Sequence, residues 1–199
     1  TVDLADVFYL RELWLEAPSQ SFYFEGGLVS LVTHENERFK PIHKNIFHVE
    51  KKAEGVESVE IALQYVDDMS SRVLPFANNI YTSEGGTHLT GFKTALTRTL
   101  NTYARNNNYI KDSEENFTGD DVLEGLTAVV SVKLREIQFE GQTKAKLGSM
   151  EAQSAVATVF GETFAAFLEE KPDDARAMVS KVILALKARK AAKAAKDSV

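Results

Sequence analysis

Alternation is cleanest over residues 56–66, VESVEIALQYV. Val59, Ile61, Leu63 and Tyr65 fall on one side, and Ser58, Glu60, Ala62 and Gln64 on the other. A period of two predicts a strand with one face on a core. LTAVVSVKLRE, residues 126–136, repeats the pattern through Leu126, Ala128, Val130, Val132 and Leu134. Val129 places an apolar side chain on the opposite side, so part of this strand is expected to be buried on both faces. Further strands are predicted over residues 20–24, 45–51 and 72–78. Pro75 lies inside the last of these and has no N–H for a ladder, which predicts an edge position or a bulge.

Elsewhere the apolar spacing changes to three and four, the period of a helix. Leu4, Val7, Leu10, Leu13 and Trp14 predict a lead-in helix over residues 4–15, and Leu28, Leu31 and Val32 a short helix after Gly26-Gly27. Leu89, Phe92, Leu96, Leu100 and Tyr103 predict a longer one, opened by Gly85-Gly86-Thr87 and closed near Asn106-Asn107-Asn108. Thr118-Gly119-Asp120-Asp121 has the form of a capping box, with Gly125 as the stop. A wide stripe from Ala152 and Val156 to Phe164 and Phe167 predicts a penultimate helix. Pro172-Asp173-Asp174 opens the last one, where proline is tolerated and acidic groups suit the helix N-terminus. Met178, Val179, Val182, Ile183 and Leu186 form its buried side, and the tail beyond Leu186 has little to bury. Mixed elements with helices gathered late give an α+β fold.

A length of 199 residues holds one domain, or a domain with an extension. The absence of cysteine removes disulfides, thiolate metal sites and a cysteine nucleophile, and fits a reducing cytosol. A formal net charge of −6 excludes a uniformly basic nucleic-acid binder, so any contact with DNA must use a local patch. No segment approaches the roughly 18 apolar residues of a membrane span. Asp3 and Asp6 stand where a signal peptide would carry basic residues. The ends, in helix-like sequence, suggest a domain of a longer protein.

Candidate chemistry centres on Gly141-Gln142-Thr143-Lys144, set between a strand-like run and a helix-like run. Gly141 is expected to relieve a clash, Gln142 offers amide donors and Lys144 a compact charge on a flexible stem. On residue types alone this suits a phosphate or an ordinary solvated loop. Lys146 nearby is expected at the surface. Arg98 and Arg105, seven residues apart, share a helix face, with Lys93 on a nearby flank. They fit a DNA-facing wall or a plain solvent-exposed face. The terminal cations Lys187, Arg189, Lys190, Lys193 and Lys196 suit phosphates or the dipole of their own helix. Asp67-Asp68, Asp120-Asp121 and Asp173-Asp174 stand at turns or helix starts, which favours capping. His88 is expected to pack at a helix start. His34, His43 and His48 are too scattered for a metal site.

Several blocks in order resemble the transducer domain of the DNA gyrase B family, from bacterial type II topoisomerases. They are FEGG at 24–27, PIHKNIF at 41–47, VEIALQY at 59–65, EGGTHLTGF at 84–92, TRTLN at 97–101, GDD at 119–121 and QTK at 142–144. Ile137 stands where many members carry proline, and Leu123 where many carry arginine. The stretch between Leu15 and Phe22 is shorter than usual. The resemblance implies a fold like domain 2 of ribosomal protein S5, a mixed sheet with a left-handed βαβ crossover and two long C-terminal helices. It implies a lead-in from an ATP-binding domain at 1–20, the transducer domain at 21–170, and a helix toward the cleavage domain at 171–199. Gln142 and Lys144 would contact the γ-phosphate of ATP, with Lys144 also stabilising charge during transfer. The DNA-facing reading of Lys93, Arg98 and Arg105 would set them along the path of the duplex, and the plain solvent-exposed face stays open beside it.

The chain has no GxxxxGK[ST] loop and no paired glycine boxes, so alone it is expected not to hydrolyse ATP. The ATP site and the Mg2+ ligands would lie mostly in the preceding domain. The implied partners are the gyrase A protein, double-stranded DNA and a second copy of the gyrase B protein in an ATP-dependent dimer, in the cytoplasm and without a membrane. The equivalent protein of topoisomerase IV is the nearest alternative. More distant ones are a mismatch-repair or chaperone ATPase, and a stand-alone S5-like nucleic-acid-binding module.

Overall fold

The computed structural model describes residues 26–111 and 113–197, preceded by the short strands Phe8–Tyr9 (β1) and Ser21–Phe22 (β2). β1 and β2 pair antiparallel, Phe8 opposite Phe22. The helix expected over residues 4–15 is therefore corrected where it is described: the aromatic pair Phe8-Tyr9 suits a pleated surface better than a helix. The rest of that stretch lies outside the described residues, as do residues 23–25 of the strand expected over 20–24.

The remaining elements follow in order: α1 (Gly27–Glu35), β3 (Phe47–Ala53), β4 (Val56–Tyr65), β5 (Arg72–Ala77), β6 (Ile80–Tyr81), α2 (Thr87–Asn106), α3 (Gly119–Leu123), β7 (Leu126–Lys133), β8 (Phe139–Glu140), β9 (Lys146–Leu147), α4 (Glu151–Glu170) and α5 (Pro172–Asp197). Five strands form a mixed sheet in the order β3-β4-β7-β5-β6. All pairs are antiparallel except β5 with β7. That parallel pair requires a crossover, which α2 and α3 supply.

The period-two reading of β4 and β7 holds. Val59, Ile61, Leu63, Tyr65, Leu126, Ala128, Val130 and Val132 meet the apolar sides of α2, α4 and α5. On the other face Ala62, Phe76 and Val129 meet Leu28 and Val32 of α1. β7 is thus covered on both faces, as Val129 predicts. Pro75 is not on an edge strand, since β5 lies between β7 and β6, and the pairing with β7 has no bulge there. Its carbonyl accepts Thr82 N–H at 2.9 Å, so the side of β5 that lacks a donor faces the two-residue β6 rather than β7.

Around the core, α2 lies against α4, with Phe92 and Phe160 4.8 Å apart between ring centres. Gly91 allows this approach, because a Cβ there would run into the backbone carbonyl of Gln153. α5 buries Met178, Val179 and Val182 in the same core, and from Lys187 on it is largely exposed. Asp174 does more than serve its own helix start. Its carboxylate accepts Lys44 N–H, Asn45 N–H and the Asn45 side-chain amide, tying α5 to the loop before β3.

Candidate functional site: a hairpin tip and the base that holds it

Gly141-Gln142-Thr143-Lys144 forms the tip of the β8–β9 hairpin, not a connection from strand to helix; α4 begins only at Glu151. A two-residue strand has no period to read, and KAKLG is compatible with a helix by propensity. A Cβ on Gly141 would meet nothing within 4 Å, so clearance is not its role. Its φ of 82° is the reason for glycine there. Lys144 also stands at positive φ, 54°. For a side chain of this kind that conformation costs about 1–2 kcal/mol.

Gln142, Thr143 and Lys144 are exposed. Among the described residues, neither Gln142 nor Lys144 has a hydrogen-bond or ion-pair partner. Lys146, by contrast, pairs with Glu140 across the hairpin at 2.8 Å. The tip therefore presents one unneutralised ammonium and one amide, a donor set suited to phosphate oxygens.

The base of the hairpin is tied to the turn that opens α2. Glu84 N–H donates to Ala145 O at 2.9 Å, and Leu147 N–H to Gly85 O at 3.0 Å. Thr87 Oγ1 donates to Ser149 O at 2.6 Å, while Ser149 Oγ accepts Gln138 N–H at 2.9 Å. The motifs EGGT and QTK, some 60 residues apart in the chain, are thus physically one site. Composition marks Gly85-Gly86 as a turn but not as the seat of the hairpin.

His88, the second residue of α2, is fully buried. Thr82 Oγ1 gives its proton to Pro75 O, so His88 donates from Nε2 to Thr82, 3.3 Å away. Burial lowers its pKa to about 4, so it is neutral near pH 7. It packs at a helix start, as expected.

The three cations proposed for DNA do not form one patch. Arg98 is exposed beside the groove between α2 and α4, where Gly161 leaves room for its guanidinium. Arg105 instead donates to Lys111 O and Glu114 O, both at 2.9 Å, and to the Asn116 side chain. Lys93 lies about 140° around the helix from Arg98. In the tail, Arg189 pairs with Asp121 and Glu115, and Lys190 approaches Glu115 at 3.9 Å. Among the described residues no three His, Cys, Asp or Glu side chains converge as a metal site, and no helix is long and apolar enough to cross a membrane.

The sequence model of the DNA gyrase B family matches residues 27–198. The chain is 50% identical over 182 residues to the DNA gyrase B protein of Halalkalibacterium halodurans, covering 92% of this chain and 28% of that protein. It superposes on the 43K ATPase domain of Thermus thermophilus gyrase B, solved with an aminocoumarin, with a TM-score of 0.82 at 38% identity. That match covers 92% of this chain and 49% of the other. The topoisomerase IV ATP-binding domain of Francisella tularensis shares the fold, with a TM-score of 0.70 at 24% identity over 87% of this chain and 46% of that one. The chain therefore spans less than half the length of each of these proteins. With the fold, the ordered motifs and the family match in agreement over most of its length, the chain belongs to the DNA gyrase B family.

Proposed function

We propose that this chain is the transducer domain of a gyrase B protein, coupling ATP binding and hydrolysis in an adjacent domain to DNA strand passage and negative supercoiling. In this reading residues 1–20 lead in from the ATP-binding domain, residues 21–170 are the transducer domain, and residues 171–199 lead toward the cleavage domain. The observation that carries it is the hairpin tip. Lys144 is exposed, unpaired among the described residues and held at positive φ, on a base tied to the start of α2. A strained backbone at an exposed cation is the kind of outlier that accompanies ligand contacts.

Lys144 and Gln142 contact the γ-phosphate of ATP held in the preceding domain. Bound ATP with Mg2+ supplies the phosphoanhydride to be broken, and the metal ligands belong to residues outside this chain. Lys144 brings a positive charge to where negative charge grows during transfer. Gln142 adds a directional donor. While the phosphate is bound, these two residues fix the hairpin; its release frees them, and α4 and α5 carry the resulting rotation toward the DNA gate. Alone, the chain is inactive in ATP hydrolysis. The working enzyme is cytoplasmic and joins this protein to gyrase A, a second copy of gyrase B and duplex DNA. Arg98 faces the passing duplex and Arg105 supports that wall through the loop that it holds; Lys93, about 140° around α2 from Arg98, is left out of it.

The fold is shared with topoisomerase IV, which would decatenate and relax instead. The test is the full-length protein with its gyrase A partner, with and without Lys144→Ala. Supercoiling by wild type, with turnover lost in a folded Lys144→Ala variant, is the expected result. Relaxation and decatenation without supercoiling moves the assignment to topoisomerase IV. Normal ATP turnover by the variant removes Lys144 from the site. Tight nucleic-acid binding by this chain alone, independent of Lys144, would favour the S5-like binding module.

A further inference from the structure

We infer that Gly86 and Thr87 are positioning residues for Lys144, and that the hairpin tip and α2 therefore move as one body. This rests on the phosphate contact proposed for Lys144. The β8–β9 ladder has only two residue pairs, Phe139 with Leu147 and Glu140 with Lys146. A hairpin that short does not hold its own orientation. Its direction comes from the turn before α2. The carbonyl of Ala145, the residue after Lys144, is held by Glu84 N–H, and Leu147 N–H is held by Gly85 O. Thr87 secures the far side through Ser149, whose hydroxyl in turn receives the N–H of Gln138, the residue just before β8.

Gly86 is where this clamp is least tolerant. Its φ of 133° and ψ of −164° belong to a region that glycine alone occupies readily. A Cβ there would stand 2.5 Å from Leu147 N and 2.8 Å from Leu147 Cα, with Leu147 O nearer still. All three are backbone atoms, so relief requires β9 to move away from α2. The tip, which ends just before β9, would move with it. On the other side α2 continues into its close contact with α4, where Gly91 meets the Gln153 carbonyl. A displacement at Lys144 thus has a continuous packed route into the two helices. Gly119 gives the contrast: a Cβ there meets nothing within 4 Å.

The experiment uses the full-length protein with its gyrase A partner and DNA, in the variants Gly86→Ala, Thr87→Val, Thr87→Ser, Lys144→Ala and the Thr87→Val/Lys144→Ala pair. Thr87→Val keeps shape while removing the hydroxyl, so the question remains answerable if Gly86→Ala does not fold. Two quantities are read: amide hydrogen exchange over residues 138–149, and kcat and KM for ATP. The expected result is faster exchange at Leu147 in Gly86→Ala and Thr87→Val. Their kcat should fall between about 10- and 100-fold, as for a misplaced catalytic group. KM should rise by less than kcat falls, since Lys144 touches the bound phosphate but counts most where charge grows during transfer. Thr87→Ser should restore both quantities. The double variant should be no slower than Lys144→Ala, because both changes remove the same contact. Unchanged exchange overturns the clamp. Faster exchange with wild-type kcat, where Lys144→Ala is inactive, overturns the positioning role and leaves the phosphate contact standing. Normal turnover in Lys144→Ala overturns the phosphate contact itself, and this inference with it.

Discussion

Arg189, near the end of α5, donates to both oxygens of Asp121, with Nε 2.9 Å from Oδ1 and Nη2 3.1 Å from Oδ2. The same carboxylate accepts Thr118 N–H at 2.8 Å and closes the capping box of α3. One buried acid therefore starts a short helix and holds a long one. Lys181 with Glu124, 3.4 Å apart, makes a second tie between α5 and the α3 region.

Removing Arg189 should loosen the C-terminal helix without touching the hairpin. Burial pushes the Asp121 pKa up, but the bonds from Arg189 and Thr118 outweigh it and hold the group below the usual carboxylate range. Arg189→Ala should cost about 2 kcal/mol, the range for a hydrogen bond to a charged group. Asp121→Ala should cost about 1 kcal/mol more, because Thr118 N–H loses its acceptor as well. Because the folded pKa is depressed, this contribution is present above the unfolded value and is lost as pH falls through the folded one. Urea unfolding of both variants at neutral and acid pH measures it. Equal stability of Arg189→Ala and wild type at pH 7 would reject the tie.

Arg98 and Arg105 should separate cleanly, although they share a helix face. Arg105→Ala leaves the Lys111 and Glu114 carbonyls and Asn116 without their donor, and should lower stability by about 1–2 kcal/mol. Arg98→Ala should stay within about 0.5 kcal/mol, as an exposed surface change. Thermal melting of the two variants decides it; the reverse order would mean that Arg105 is not the loop's anchor.

Gly91→Ala and Gly119→Ala should have opposite signs. At Gly91 the new methyl meets the Gln153 carbonyl, and forcing α2 from α4 should cost about 2 kcal/mol. At Gly119, the first residue of α3 with open space around it, alanine should gain about 0.5 kcal/mol by restricting the unfolded chain. Chemical denaturation of both resolves the difference.

Stability should fall as the pH drops below about 6.5, the ordinary histidine value. Burial lowers the pKa of His43, whose Nδ1–H donates to Asn45 O while Nε2 accepts Tyr65 N–H. Burial also lowers that of His88, to about 4. Both stay neutral in the folded protein while the unfolded chain takes up protons. Between about pH 6.5 and 4, His88 alone should remove roughly 3 kcal/mol. His48 opposes this. Its bond to Glu60 raises its pKa, so its contribution is full at low pH and is lost as pH rises through the folded value. Unfolding free energies at pH 7.5 and 5.5 for wild type and His88→Gln check the slope, and an identical slope in the two would refute it.

Much of the fold was legible along the chain because its elements are long enough to show a period. β4, β7, α2, α4 and the buried half of α5 each repeat their apolar residues over at least three turns or pleats, and the capping box at Thr118 is a local motif. Phe8-Tyr9 and Lys146-Leu147 are two-residue strands, created by the partners they meet rather than by their own sequence. Gln142 and Lys144 could be singled out as candidates because a polar glycine-led loop is visible locally. Their seat could not, since Gly86 meets Leu147 only after some 60 residues of helix and sheet have folded between them.

The sequence by itself determined the α+β class, the strand faces, most helix bounds and the family, because each depends on local periodicity or on an ordered string of motifs. Tertiary structure alone decided that Arg105 serves a loop, that Asp174 reaches across the chain to Asn45, that Asp121 holds Arg189, and that EGGT carries QTK. These are hydrogen bonds and close approaches between residues distant in sequence, and no propensity or spacing encodes which distant backbone atom a side chain will meet.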